Sequence, residues 1–167
     1  MDRFADAMTA RGPTLAVDRE TWTGSVHIVD LPSAEAAREF AEHEPYNRAG
    51  LFEQHIIRRF TNLLGRTMWE SPGGSVDPRF LVIAHLRATA GEPAPAGVLP
   101  DFAAVPRERL IVHGQLFTPD GARPAGVVLA LQAPTREAVE ALVGSGQAHL
   151  DQHFDVQILD WEFGGRR

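Results

Sequence analysis

The chain contains neither cysteine nor lysine, so acid–base or nucleophilic chemistry has to come from carboxylate, hydroxyl and imidazole groups. Two carboxylates stand out. Asp18 and Asp120 each close a seven-residue outline that opens on glycine, GPTLAVD at 12–18 and GQLFTPD at 114–120. Each follows a strand-like run, where an aspartate can act as a base or can hydrogen-bond the backbone of its own turn. Asp120 lies within Pro-Asp-Gly, itself a turn signal, whereas Asp18 lacks the glycine and is the better catalytic candidate. Of seven histidines, only His113, beside Gly114, and His85, in RFLVIAHL, offer a base near Asp120. His149 and His153 in HLDQH have the i, i+4 spacing that sets two imidazoles on one helix face. No third ligand is recognisable, so no metal site is expected.

The elements that must position these residues are repeated. A constant separation of 102 residues takes Gly12 to Gly114, Asp18 to Asp120, Gly24 to Gly126, Val26 to Val128 and Pro32 to Pro134. The same offset takes Glu35 to Glu137, Ala36 to Ala138, Phe52 to Phe154 and Ile56 to Ile158, in one ungapped register of 11–60 on 113–162. Two copies of one unit are expected, at 1–61 and 79–167, joined by a linker at 62–78. GSVHIVDLPS and GVVLALQAPT read as strands stopped by proline, followed by Ser33 or Thr135 as helix N-cap. Ala37, Phe40 and Ala41, like Val139, Leu142 and Val143, then form an apolar stripe at i, i+3, i+4. EQHIIRRF and DVQILDWEF read as closing strands, and RFLVIAHLRA as a leading strand of the second unit. The segment LPDFAAVPRERL is a poor helix because Pro100 and Pro106 interrupt it.

The resulting order, β-α-β-β-α-β, is the ferredoxin-like split βαβ, and the fold class expected is α+β, two such units packed as an intrachain α/β barrel. The first unit lacks its leading strand: the counterpart of 80–87 would lie ahead of Met1, and MDRFADAMTAR reads as the end of the first helix. Loss of a central strand would leave its neighbours with unpaired backbone groups, so a preceding segment or another chain is expected to supply it.

Strand alternation then assigns faces. With Val26 and Ile28 turned to the helices, His27 faces the barrel interior, joined by His55 and Arg59 from the last strand, while Val127, Leu129 and Leu131 line the other half. Such a pocket, with apolar walls and a few polar groups, suits an aromatic or polyketide-like acid. Glu44 and Tyr46, in HEPYNRAG, are further ligand-binding candidates, at a place where proline after an acidic residue also favours a turn at a helix end. Trp22, Trp69 and Trp161 follow no pattern and are expected in core or interface.

Laid out in this way, the first unit resembles the YCII-related family of small dimeric α+β barrel domains. The resemblance rests on GPTLAVD, on TGSVHIVDLPSAEAAREFA and on EPYNRAGLFEQHIIRRF, and covers most of residues 10–60; the second unit looks like a diverged copy that keeps GQLFTPDG. It implies a histidine on the first helix paired with an aspartate at the place of Asp18 and Asp120. In this chain that histidine position falls ahead of Met1 in the first unit, and the region around Gly97 has none in the second.

Composition narrows the rest. Apolar residues at 44% and charged residues at 23% describe a globular protein, and no apolar run reaches the roughly 18 residues of a membrane span. A net charge of −6 without a basic cluster speaks against nucleic acid. No dinucleotide fingerprint is present, and no cofactor is expected. The expectation is a cytoplasmic, cofactor-independent enzyme of YCII type, free to self-associate as a homodimer. It would carry out proton transfer, elimination or cyclisation on a small organic acid. The alternative is a non-catalytic ligand-binding or accessory protein that has lost the dyad.

Overall fold

The computed structural model describes residues 4–72, 76–87, 102, 105–144 and 153–165. It is a mixed α+β structure built on seven strands: β1 (Met8–Leu15), β2 (Trp22–Val29), β3 (Arg59–Asn62), β4 (Arg79–Leu86), β5 (Leu110–Phe117), β6 (Pro124–Gln132) and β7 (Phe154–Trp161). Three helices accompany them, α1 (Ala34–Glu42), α2 (Pro45–Arg48) and α3 (Arg136–Gly144). The strands form one antiparallel, nearly closed sheet in the order β2-β1-β7-β4-β6-β5-β3. The halves therefore interleave. The β1–β2 hairpin joins one edge through β7, and β3 joins the other through β5.

The local signals act as their chemistry requires. Ser33 Oγ accepts from the Ala36 N–H and Thr135 Oγ1 from the Ala138 N–H, both at 3.2 Å, so each helix begins at a side-chain cap. Glu35 and Glu137 stand in the respective first turns, each carboxyl held below its ordinary value chiefly by backbone hydrogen bonding there. β1, β2 and α1 begin 102 residues before β5, β6 and α3. The two hairpin turns also match: the residue after each aspartate is left-handed, Arg19 at φ 60° and Gly121 at φ 76°.

Two apolar clusters lie on the two sides of the sheet. The outer one packs α3 through Val139 and Val143 onto Phe80, Val82, Val127, Leu129, Leu131 and Phe154. The inner one takes residues from all seven strands, among them Ala10, Val26, Phe60, Leu81, Leu116, Val128 and Trp161, with Met68 fully buried among them. Met68 belongs to a short 3-10 turn within 62–78, so the connection between the halves is part of the core.

Three sequence expectations are corrected here. Val127, Leu129 and Leu131 face α3, not the interior, and Val26 and Ile28 face the interior, so the face assignment is inverted. The interior is filled by Trp161, Met68 and their neighbours where an apolar hollow was expected. The closing strand of the first half is confined to Arg59–Asn62, because beyond Arg59–Phe117 the β5 ladder ends in its turn and residues 51–58 have no ladder partner among the described residues. His149 and most of LPDFAAVPRERL fall outside the described residues.

Candidate functional site

Asp18 and Asp120 occupy equivalent hairpin turns. Asp18 Oδ1 accepts from the Glu20 and Thr21 N–H groups, both at 2.9 Å, and Oδ2 accepts from Thr21 Oγ1 at 2.6 Å. These bonds, the Thr21 hydroxyl first, hold its carboxyl below the ordinary aspartate value. Asp120 Oδ1 accepts from Thr118 Oγ1 and from the Ala122 N–H, with the same consequence. Both side chains are exposed and serve as caps of their own turns. Asp18→Asn keeps one acceptor for the N–H groups but loses the charge. We expect it to lower the melting temperature by less than about 3 °C by differential scanning calorimetry, and to leave ligand binding unaltered.

His27 lies on the outer face beneath α1, not in the interior. Its ring meets Phe40 edge-on at 5.7 Å, and Arg11 is its cross-strand partner on β1. Burial lowers its pKa, Glu44 opposes that shift and Arg11 adds to it. Glu44 is itself buried and caps α2 by accepting from the Asn47 N–H at 2.9 Å. Arg59 also faces outward: it pairs with Phe117, and its guanidinium lies where a side chain on Gly121 would stand. His113 is on the outer face with Phe102, rings 5.8 Å apart. Tyr46 links Trp22 and Phe52 by edge contacts of 6.0 and 6.4 Å. His55 lines a shallow surface depression of about 460 Å³ between α1 and residues 54–58, with Arg38, Glu42 and Arg58. Of the residues singled out from sequence, the structure thus brings together His27 with Glu44 and Tyr46 with Trp22, while the carboxylates of Asp18 and Asp120 are taken up by their own turns.

A different imidazole stands on the interior face. Along β4, Leu81 and Ile83 point inward, and alternation gives His85 the same face. Ladder pairing sets Asp155, His85, Gly126, Leu116 and Phe60 side by side across β7, β4, β6, β5 and β3. His85 therefore has a carboxylate on one side and a bare glycine on the other. Its Nδ1 is buried and has no hydrogen-bond partner among the described residues, a costly state for a polar atom. Asp155 is charge-paired with Arg87, whose Nε donates to Oδ1 at 2.8 Å. Arg58, exposed and just ahead of β3, lies close enough for its charge to act on His85. Burial lowers the His85 pKa, Arg58 lowers it further and Asp155 opposes them. The result is an imidazole kept neutral near pH 7, beside a guanidinium. Among the described residues no three His, Asp or Glu side chains converge as a metal site requires.

Sequence reasoning missed Arg58 and Asp155. No strand period could have selected Arg58, because it lies ahead of β3.

The family model for the YCII-related domain matches residues 3–61. This segment is similar to a YCII-related domain. It takes in β1, β2, α1, α2 and the start of β3, hence both the Asp18 turn and Arg58. His85 and Asp155 lie beyond the matched residues, on strands of the second half that continue the same sheet. Neither curated proteins nor solved structures give a match to the chain. No helix among the described residues is long and apolar enough to cross a membrane.

Proposed function

We propose that the chain is a tandem pair of YCII-type, ferredoxin-like units that acts on a small organic acid without a cofactor, by proton transfer at the carbon next to a carbonyl. Support for the duplication comes from the matched element bounds and the matched turns. The observation that carries the chemistry is His85: a neutral interior imidazole with an orphaned nitrogen, a carboxylate beside it and a guanidinium within its field. Arg58 would hold the substrate carboxylate, and its charge would oppose accumulation of a second positive charge on His85 until that carboxylate is in place. The imidazole then takes the proton from carbon as the C–H electron pair moves into an enolate, and returns it to the same or a neighbouring carbon. Asp155 favours the imidazolium formed in between. Asp18 and Asp120, committed to their turns, take no part.

One observation favours a second reading, ligand binding without turnover: Asp18 and Asp120 are both turn caps.

Deuterium wash-in separates the two. In D2O, with a panel of 2- and 3-oxo acids followed by proton NMR, the wild type is expected to exchange the carbon-bound proton at least about 100-fold faster than His85→Gln. The rate should fall as pH drops through the lowered His85 pKa, because the base is then protonated. Arg58→Gln should raise KM more than it lowers kcat. Binding without exchange selects the second reading, and exchange that survives His85→Gln refutes the assignment.

A further inference from the structure

The sheet has an open seam of defined polarity. Six successive antiparallel pairings connect β2 to β3, so these two edge strands run in the same direction. They cannot close on each other as an antiparallel pair. One strand running opposite to both would complete an all-antiparallel barrel of eight. Among the described residues the outer edge of β2 has no ladder partner, and neither has the segment 51–58 that leads into β3. The two banks are held near one another. Trp22 at the start of β2 contacts Tyr46, and Tyr46 contacts Phe52 on the other bank, so a single residue of α2 spans the gap at that end. Further along, the depression between α1 and residues 54–58 lies over the same gap. Apolar side chains are left in water there: Trp22 is 62% exposed, Leu51 66% and Ile56 53%.

We infer that this seam is a strand-acceptor site, which binds one extended segment of another polypeptide between β2 and residues 52–58. The existence of the site follows from strand direction. The chemistry of the occupant follows from the 102-residue correspondence, since β6 matches β2 and β7 matches 52–59. In the second half the place between β6 and β7 is held by β4, RFLVIAHL, apolar on both faces because one face meets the helices and the other the interior. The occupant is therefore a strand of that kind, five to eight residues of continuous apolar and β-branched character, about a strand's ordinary length. Its affinity comes from two ladders of main-chain hydrogen bonds, and its specificity from side chains meeting Val26, Ile28 and Phe60 inside.

The probe is a synthetic peptide of the β4 sequence carrying two added lysines at each end for solubility, titrated into the full chain. The expected result is 1:1 binding that slows hydrogen exchange of Gly24–Val29 amides. At 100-fold excess over Kd it should raise the melting temperature by about 5 °C or more. The same peptide with proline at the position of Val82 should lose both effects, since it removes a ladder donor. Absence of protection and of any thermal shift up to the solubility limit overturns the inference. So does protection of those amides in the free protein that rises with protein concentration and is not displaced by peptide, because the seam is then covered by a second copy. Neither outcome depends on whether His85 performs catalysis.

Discussion

Gly12→Ala and Gly114→Ala should each lower the melting temperature by about 5–10 °C, while Gly144→Ala leaves it within about 2 °C. Neither repeated glycine is needed for its own dihedral angles, because neither has positive φ. Each is needed for approach. A Cβ on Gly12 would overlap the carbonyl oxygen of Glu162, where the chain leaving β7 crosses β1; a Cβ on Gly114 would overlap the Phe60 ring and the Thr61 carbonyl oxygen, where β3 crosses β5. Backbone carbonyls held in a ladder cannot swing aside as a long side chain can, so the strands themselves have to separate. Overpacking of this kind costs about 1–3 kcal/mol, and more when backbone must move. Gly144 at the end of α3 meets nothing within 4 Å, which makes it the control for the general entropic effect of replacing glycine. Equal small effects at all three positions would mean that the crossings are looser than the coordinates show. The outline that opens on glycine and ends on aspartate thus occurs twice because two demands occur twice: the last strand of the other half crosses at the glycine, and a hairpin turn is capped at the aspartate.

Much of this was legible in the sequence, for a physical reason in each case. Ser33 and Thr135 announce their helices because a hydroxyl cap acts within three residues, and the strand runs around them are bounded by proline and turn residues. Inside and outside were not legible. In β6 every residue from Gly126 to Gln132 is buried, so alternation carries no information about which face meets a helix and which the interior. In β2 the polar residue His27 invited the opposite mistake. It looked like a pocket group, but the outer face has Phe40 and Phe4 in contact and shelters an imidazole well. A one-residue error in face inverts the whole set, which is why His27 and Arg59 were expected inside. The partial closing strand is a different failure. EQHIIRRF has the composition of a strand, but a ladder requires a neighbour, and no sequence window reports whether one is present.

Arg136→Ala should destabilise the fold by about 3–5 kcal/mol, among the largest single losses at any charged position. Asp160 projects from the outer face of β7 with its side chain 7% exposed, and Arg136 at the start of α3 donates from Nη2 to its Oδ2 at 2.5 Å. Nη1 also donates to the Ile158 carbonyl at 2.8 Å, and the guanidinium lies 5.9 Å from the centre of the Phe80 ring. Removing the arginine strands a buried carboxylate, with only Arg19 nearby at 3.6 Å. Arg136→Met keeps the apolar stem over Phe80 and isolates the charge term. The cycle of Arg136→Met, Asp160→Asn and the double variant in urea unfolding should then show a coupling of about 2 kcal/mol or more, the double variant being more stable than additivity allows. Additive losses would show that the pair only happens to be close. The consequence reaches the interior, because Ile158 and Asp160 share β7 with Asp155, whose inner side stands against His85. An arginine that fixes α3 on the outside of β7 thereby fixes the inner register of the proposed acid–base pair. Arg136→Met should accordingly slow proton exchange without shifting its pH dependence.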